Sequence, residues 1–145
     1  MSANKNPENF NSKDLLDYWK DTFYLIQSKP YTALRWGGLD LRDLKTVLNG
    51  HDIYTVLLAI DHAVKDGTFI LEFSKNFGDY DIQSPHPKLQ WLVKNKGNKH
   101  HKKLWVEYQL VSSRWFPSAS DRKRLIEIEE QLKEWAKRVT FLTVT

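Results

Sequence analysis

Apolar residues recur along this 145-residue chain at helical rather than alternating spacing. After a polar opening from Met1 to Asn11, with Phe10 able to fold back as a staple, Ser12 is placed to cap a first helix. Leu15, Trp19, Phe23 and Ile26 share one face of it. Ser28-Lys29-Pro30 ends it, because proline disfavours helical backbone in the residue before it. Tyr31 to Gly38 reads as a connector closing on two glycines. Asp40 with Asp43 then opens a second helix carrying Leu41, Leu44, Val47 and Leu48, stopped by Gly50. The third helix has the clearest pattern. Asp52 caps it, Ile53, Val56, Leu57, Ile60 and Val64 step at helical offsets, and Gly67 terminates it. Thr68 to Phe77 is a candidate fourth helix presenting Phe69, Phe73 and Phe77, and the chain breaks at Gly78 and across the segment 83–87.

Pro87 suits the first turn of another helix, Lys88 to Lys94. Lys96 to His101 is turn-like and basic. Leu104 to Trp115 fits a helix through Leu104, Tyr108, Val111 and Trp115, and the run LWVEYQLV also fits a strand; the lack of a visible hairpin partner favours the helix. Pro117 and Ser118 stop it, Ser118 or Ser120 starts a final helix from Asp121 to Val139, and the β-branched tail from Thr140 to Thr145 suits extended chain. The expected fold is all-α: a disordered lead-in over residues 1–11, a helical module over 12–81, and a helical extension over 82–145 with an amphipathic last helix.

Charge gives these halves opposite characters. Up to Asp81 there are 9 Lys/Arg against 12 Asp/Glu, a net of −3; from Ile82 onward there are 13 against 6, a net of +7. No carboxylate occurs from Ile82 to Val106, where Lys88, Lys94, Lys96, Lys99, Lys102 and Lys103 fall together with His100 and His101, flanked by Trp91 and Trp105. Lysines attract phosphate and flat rings stack on bases, so this stretch is the candidate nucleic-acid surface. Such contacts fix affinity rather than sequence preference. Arg114, Arg122, Lys123 and Arg124 extend the patch if the last helix folds over it. A solvated loop without ligand is the competing interpretation of any charge run.

The other candidates follow from spacing. Leu125, Ile128, Leu132, Trp135 and Val139 step by three and four, a short coiled-coil seam that serves either packing within the chain or a partner, including a second copy. Trp115 joins Trp91 and Trp105 as a possible stacking platform, with core packing as the alternative for each. The five histidines form no HxxxH or HxH pair, and the chain has no cysteine, so no metal site, cofactor or disulfide is expected. No nucleophile elbow, phosphate loop or dinucleotide fingerprint occurs, and no catalytic residue is expected. The nearest enzyme signal is Glu107 on a possible strand, downstream of Asp79 and Asp81, in the manner of a Mg²⁺-dependent nuclease. A helix-turn-helix from the second and third helices would offer Tyr54, Thr55 and His62 to DNA, and no arginine. The polar N-terminus and the shortness of the longest apolar run, Val56 to Ile60, point to a cytoplasmic protein with no membrane partner.

Residues 14 to about 81 carry LLDYW, a spaced Tyr31 and Arg35-Trp36, the run DLRDLKTVLNGHDIYTVLLAIDHAVKD and an aromatic segment around Phe73. In these elements the first half resembles a helical module of replisome-organiser and helicase-loader proteins from phages and Gram-positive mobile elements. Such a module usually lies near the C-terminal end of a longer chain, and residues 87–145 have no counterpart in it. The resemblance implies a replication accessory that touches DNA and a helicase or initiator, without an active site. The expected function is therefore an adaptor, with nucleic acid on the lysine stretch and a replication protein or other protein as partner. A factor that grips an acidic protein surface without DNA is the alternative.

Overall fold

The protein is all-α. The computed structural model describes residues 7–33, 37–81, 84 and 86–144, with side chains as far as Val139. Among the described residues there are eight α-helices, one short 3-10 turn at Pro7–Asn9 and no strand. The chain divides into two compact units, Met1–Pro85 and His86–Thr145.

In the first unit α1 spans Ser12–Gln27, α2 Gly37–Gly50, α3 Ile53–Lys65, α4 Ile70–Lys75 and α5 Phe77–Tyr80. The central element is α3. Val56, Leu57, Ala59, Ile60, Ala63 and Val64 are fully buried and Tyr54 and Leu58 nearly so, because α1, α2, α5 and the 3-10 turn all pack on it. Its ends are fixed locally. The Asp52 carboxylate accepts from the N–H groups of Tyr54 and Thr55. At the other end Thr68 N–H donates to Ala63 O and Gly67 N–H to Val64 O, a Schellman closure that places Gly67 at φ 72°. The Gln27 side chain of α1 donates to the last carbonyls, Val64 and Lys65.

Around α3 the aromatic residues form one cluster. Trp19 meets Phe73 edge to face at 5.1 Å and Tyr31 at 5.9 Å; Phe73 in turn meets Phe77 and Tyr80. The Tyr31 hydroxyl accepts from Ile70 N–H, supplying α4 with the cap that Phe69 cannot give.

Several expectations change here. Residues 7–11 are ordered, with Pro7 buried, while 1–6 lie outside the described residues. Asn11 rather than Ser12 caps α1, in a reciprocal box with Asp14, because its amide oxygen accepts from the N–H of Asp14 in the first turn. Ile26 is 45% exposed, so the buried stripe of α1 ends at Phe23. Gly37-Gly38 opens α2 instead of closing a connector, which leaves Asp40 buried inside the first turn; Leu34, Arg35 and Trp36 lie outside the described residues. The fourth helix is two short ones, broken at Asn76, and Gly78 sits within the second. The burial of Tyr54 and of α3 on most sides removes the helix-turn-helix reading, because a reading helix needs a free face.

The second unit is a three-helix unit: α6 Pro87–Lys96, α7 Lys99–Ser112 and α8 Ala119–Val144, each packed on the other two. Pro87 takes the first position of α6, as expected. The ambiguous stretch after Leu104 is helix, ending before Trp115. Its tetrad of Leu104, Trp105, Tyr108 and Val111 buries one stripe. The tail is helical to Val144 rather than extended, because the backbone of α8 continues through it.

Candidate nucleic-acid interface

The lysine stretch is built around one tight corner. α6 ends at Lys96, Gly97 is extended, and α7 starts at Lys99 behind an Asn98 cap whose side chain accepts from His101 N–H while His101 Nδ1 accepts from Asn98 N–H. A Cβ on Gly97 would stand 2.6 Å from Val93 O and 3.1 Å from Val93 Cα, so only glycine lets the two helices turn this closely. The corner brings Lys94 and Lys96, in the last turn of α6, beside Lys99, His100, Lys102 and Lys103 in the first turns of α7; all six are exposed. Lys88, by contrast, is half-buried in the first turn of α6, at the opposite end from the corner.

The electrostatics of the corner are lopsided. Lys94 and Lys96 sit at a helix C-terminus, where cations are favoured, but Lys99 and Lys102 sit in the first turn of α7, where each is disfavoured by about 0.3–1 kcal/mol, with Lys103 following them. No acidic residue occupies the first turn of α7. Lys96, Lys99, Lys102 and Lys103 form no ion pair with any described carboxylate. Lys103 feels the Glu107 carboxylate one turn on, while Lys99 and Lys102 in the first turn add to the positive end of the helix dipole, a local positive potential that an external anion relieves.

The tryptophans predicted to flank this surface do not serve it. Trp91 and Trp105 are each only 7% exposed, and Trp105 lies flat on Tyr108 inside the three-helix core, so neither offers a face to a base. Large rings are the main filling available to so small a core, which is why the aromatic bracket in the sequence is a packing signal. The exposed rings are elsewhere: Trp115 and Phe116, 92% and 89% exposed, in the α7–α8 connection. Next to the corner, His101 stacks on Trp135 at 4.2 Å and forms one wall of an open groove of about 530 Å³ between α7 and α8. Leu104 and Trp135 floor it; His100, Arg138, Glu130 and Glu134 rim it. Burial lowers the pKa of His101, and the neighbouring His100 and Arg138 push the same way, which disfavours the charged ring.

The predicted partner seam on α8 is largely core. Ile128 and Leu132 are 0% and 1% exposed against α6 and α7, and Ala136 continues the stripe; Leu125, Trp135 and Val139 are half-buried at its edges. A three-helix unit has no other helix to close it, so the seam is consumed internally. Polar links lock the same interface. The Glu129 carboxylate accepts from Tyr108 Oη at 2.6 Å and pairs with His86 Nε2 at 3.1 Å. The Tyr108 hydrogen bond, followed by the His86 contact, holds the Glu129 carboxyl below its ordinary range despite its partial burial. Burial, with the Glu129 hydrogen bond and charge added, pushes the Tyr108 hydroxyl up to about 12. Arg124 grips Glu107 with two parallel N–H···O contacts at 3.0 and 2.8 Å. That clamp depresses the Glu107 pKa, and it places on a helix, facing an arginine, the carboxylate that the nuclease reading put on a strand. Among the described residues no group of three or more potential ligands could hold a metal ion. Arg124 is therefore spent on Glu107, and Arg114 on Asp121, while Arg122 and Lys123 remain exposed.

The Tyr108–Glu129–His86 set was not foreseen. Its members stand 21 and 43 residues apart, and nothing in their local spacing marks them. No helix among the described residues is long and apolar enough to cross a membrane. Comparisons with protein-family models, with curated proteins and with solved structures find no match for this chain.

Proposed function

We propose that the chain is a non-enzymatic accessory of DNA replication in a phage or mobile element, holding nucleic acid at the α6–α7 corner while the acidic first unit engages a replication protein. The observation that carries the nucleic-acid part is the set Lys96, Lys99, Lys102 and Lys103: all exposed, none in an ion pair with a described carboxylate, and gathered where the end of α6 meets the start of α7. The replication setting rests on the resemblance of residues 14 to about 81. With both tryptophans withdrawn into the core, the corner offers phosphate contacts and little to read a base, so binding is sequence-tolerant and strongly salt-dependent.

The test is fluorescence anisotropy with labelled single- and double-stranded DNA across a salt series, comparing the native protein with Lys96, Lys99, Lys102 and Lys103 changed to Ala. Each phosphate contact adds about −0.9 to the log–log salt slope on duplex, so the quadruple change should flatten the slope by about three to four. No binding at low salt, or a slope indifferent to the change, would overturn the nucleic-acid reading. The corner would then be a docking patch for an acidic protein surface, the rival reading, which pull-down with a salt wash addresses.

A further inference from the structure

Two helices, one in each unit, each carry an exposed face opposite their buried stripe, and the two faces have the same layout with opposite charge. On α7 the buried stripe is Leu104, Trp105, Tyr108 and Val111. Opposite it, Lys99, Lys103, Val106 and Leu110 follow one another at steps of four, three and four; Val106 is 52% and Leu110 64% exposed. This face begins basic and ends apolar. On α1 the buried stripe is Leu15, Leu16, Trp19 and Phe23. Opposite it stand Asp17, half-buried, and Asp21, exposed, then Tyr24 and Leu25, 59% and 79% exposed. This face begins acidic and ends apolar. Neither aspartate forms an ion pair with a described residue.

We infer that α1 of one molecule packs in parallel on α7 of a second copy, making the chain a head-to-tail self-assembling protein. A single offset satisfies every pair at once: Asp17 meets Lys99, Asp21 meets Lys103 and Tyr24 meets Val106, with Leu25 falling between Val106 and Leu110. The charged pairs sit at equal spacing of four residues in both helices, about 6 Å apart along each axis. An antiparallel arrangement would set the aspartates against Val106 and Leu110 and the lysines against Tyr24 and Leu25, leaving both charge sets unmatched, so the charges choose the direction. The net charges of the two parts of the chain, −3 up to Asp81 and +7 beyond it, favour unlike ends meeting. Because the two faces differ, the contact is heterologous, and it repeats from copy to copy until a ring closes or a filament grows. The inference does not rest on nucleic-acid binding. Where both hold, DNA and a second copy compete for Lys99 and Lys103.

Sedimentation velocity of the full chain without nucleic acid, from micromolar to millimolar protein at about 0.1 M salt, where charges act over about 10 Å, tests it. The native protein should show a sedimentation coefficient that climbs with concentration beyond that of a dimer. Asp21→Lys alone, and Lys103→Asp alone, should each weaken assembly by at least about tenfold by placing like charges together. An equimolar mixture of the two variants should assemble again, in alternation, since each junction then joins unlike charges; the double variant should also recover. Both substituted positions, Asp21 and Lys103, are exposed, and far-ultraviolet circular dichroism checks that the helices persist. A chain that stays monomeric, or stops at a dimer insensitive to Asp21→Lys, overturns the inference. So does loss of assembly in both single variants without recovery on mixing, which would leave the offset without support.

Discussion

Leu132→Ala tests whether the apolar seam of α8 is core or partner surface. Leu132 is 1% exposed, midway along the part of α8 that packs on α6 and α7. Removing such a side chain loses its transfer free energy and leaves a cavity that neighbouring helices fill only in part, at a cost of about 2–5 kcal/mol. The second unit has sixty residues, and its total stability is expected near 3–9 kcal/mol on the usual scale of about 0.05–0.15 kcal/mol per residue. One leucine therefore accounts for a large fraction of it. Ile126→Ala is the control, on the same helix but 57% exposed, and should stay within about 0.5 kcal/mol of the native protein. Urea unfolding of the full chain, followed by near-ultraviolet circular dichroism to report the buried Trp91 and Trp105, gives the comparison. With a slope of about 1–2 kcal/mol per molar urea, Leu132→Ala should lower the midpoint of this transition by more than about 1 M. Equal midpoints for the two variants would mean that Leu132 contributes no core packing, and the partner-seam reading of α8 would return.

Three other outcomes follow from local geometry. Gly97→Ala should destabilise the second unit and weaken DNA binding together, because the added Cβ meets the Val93 backbone at 2.6 Å and forces the α6–α7 corner open; unchanged melting would refute the close approach. Ser28→Gly should raise the melting temperature of the first unit slightly, by relieving the left-handed φ of 59° at the end of α1, a strain of about 1 kcal/mol partly offset by the greater freedom of glycine when unfolded. Glu129 should make the second unit acid-sensitive. Its carboxyl titrates lower when folded than when unfolded, so its stabilisation is present above the unfolded value near 4.3 and disappears as pH falls through the depressed folded value. Glu129→Gln should flatten that acid limb in urea midpoints taken between about pH 3 and pH 7; an acid limb that is unchanged would mean other carboxylates carry it.

Helix positions were legible because capping and periodicity are local. Asp52, the stripe through Val56, Leu57, Ile60 and Val64, and Gly67 specify α3 almost completely, since the side chains that start, bury and stop it lie within one segment. The same holds for Pro87 at the start of α6 and for Ser118, whose hydroxyl accepts from Asp121 N–H at the start of α8. The cations of the corner were equally legible, because a lysine run is solvated wherever the helices place it. What a helical stripe packs against is not local. Trp91 and Trp105 gave the same sequence signal as stacking platforms would, and only the closing of three helices put them inside. Ile128 and Leu132 carry a seam spacing whether the opposing helix belongs to this chain or another, and here α6 and α7 take it. Capping of α4 by Tyr31, 39 residues away, and pairing of Glu129 with Tyr108 and His86 likewise need chain segments to meet before the polar groups can find each other. Sequence by itself determined the all-α character, the strongly capped helices such as α3 and the charge each segment carries, because those depend on neighbours within a few turns. The start of α2, the split into α4 and α5 and the helical tail did not follow from it. Tertiary structure decided which aromatic and apolar faces are consumed in the cores and which, on α1 and α7, are left open, because burial is a property of the packed whole.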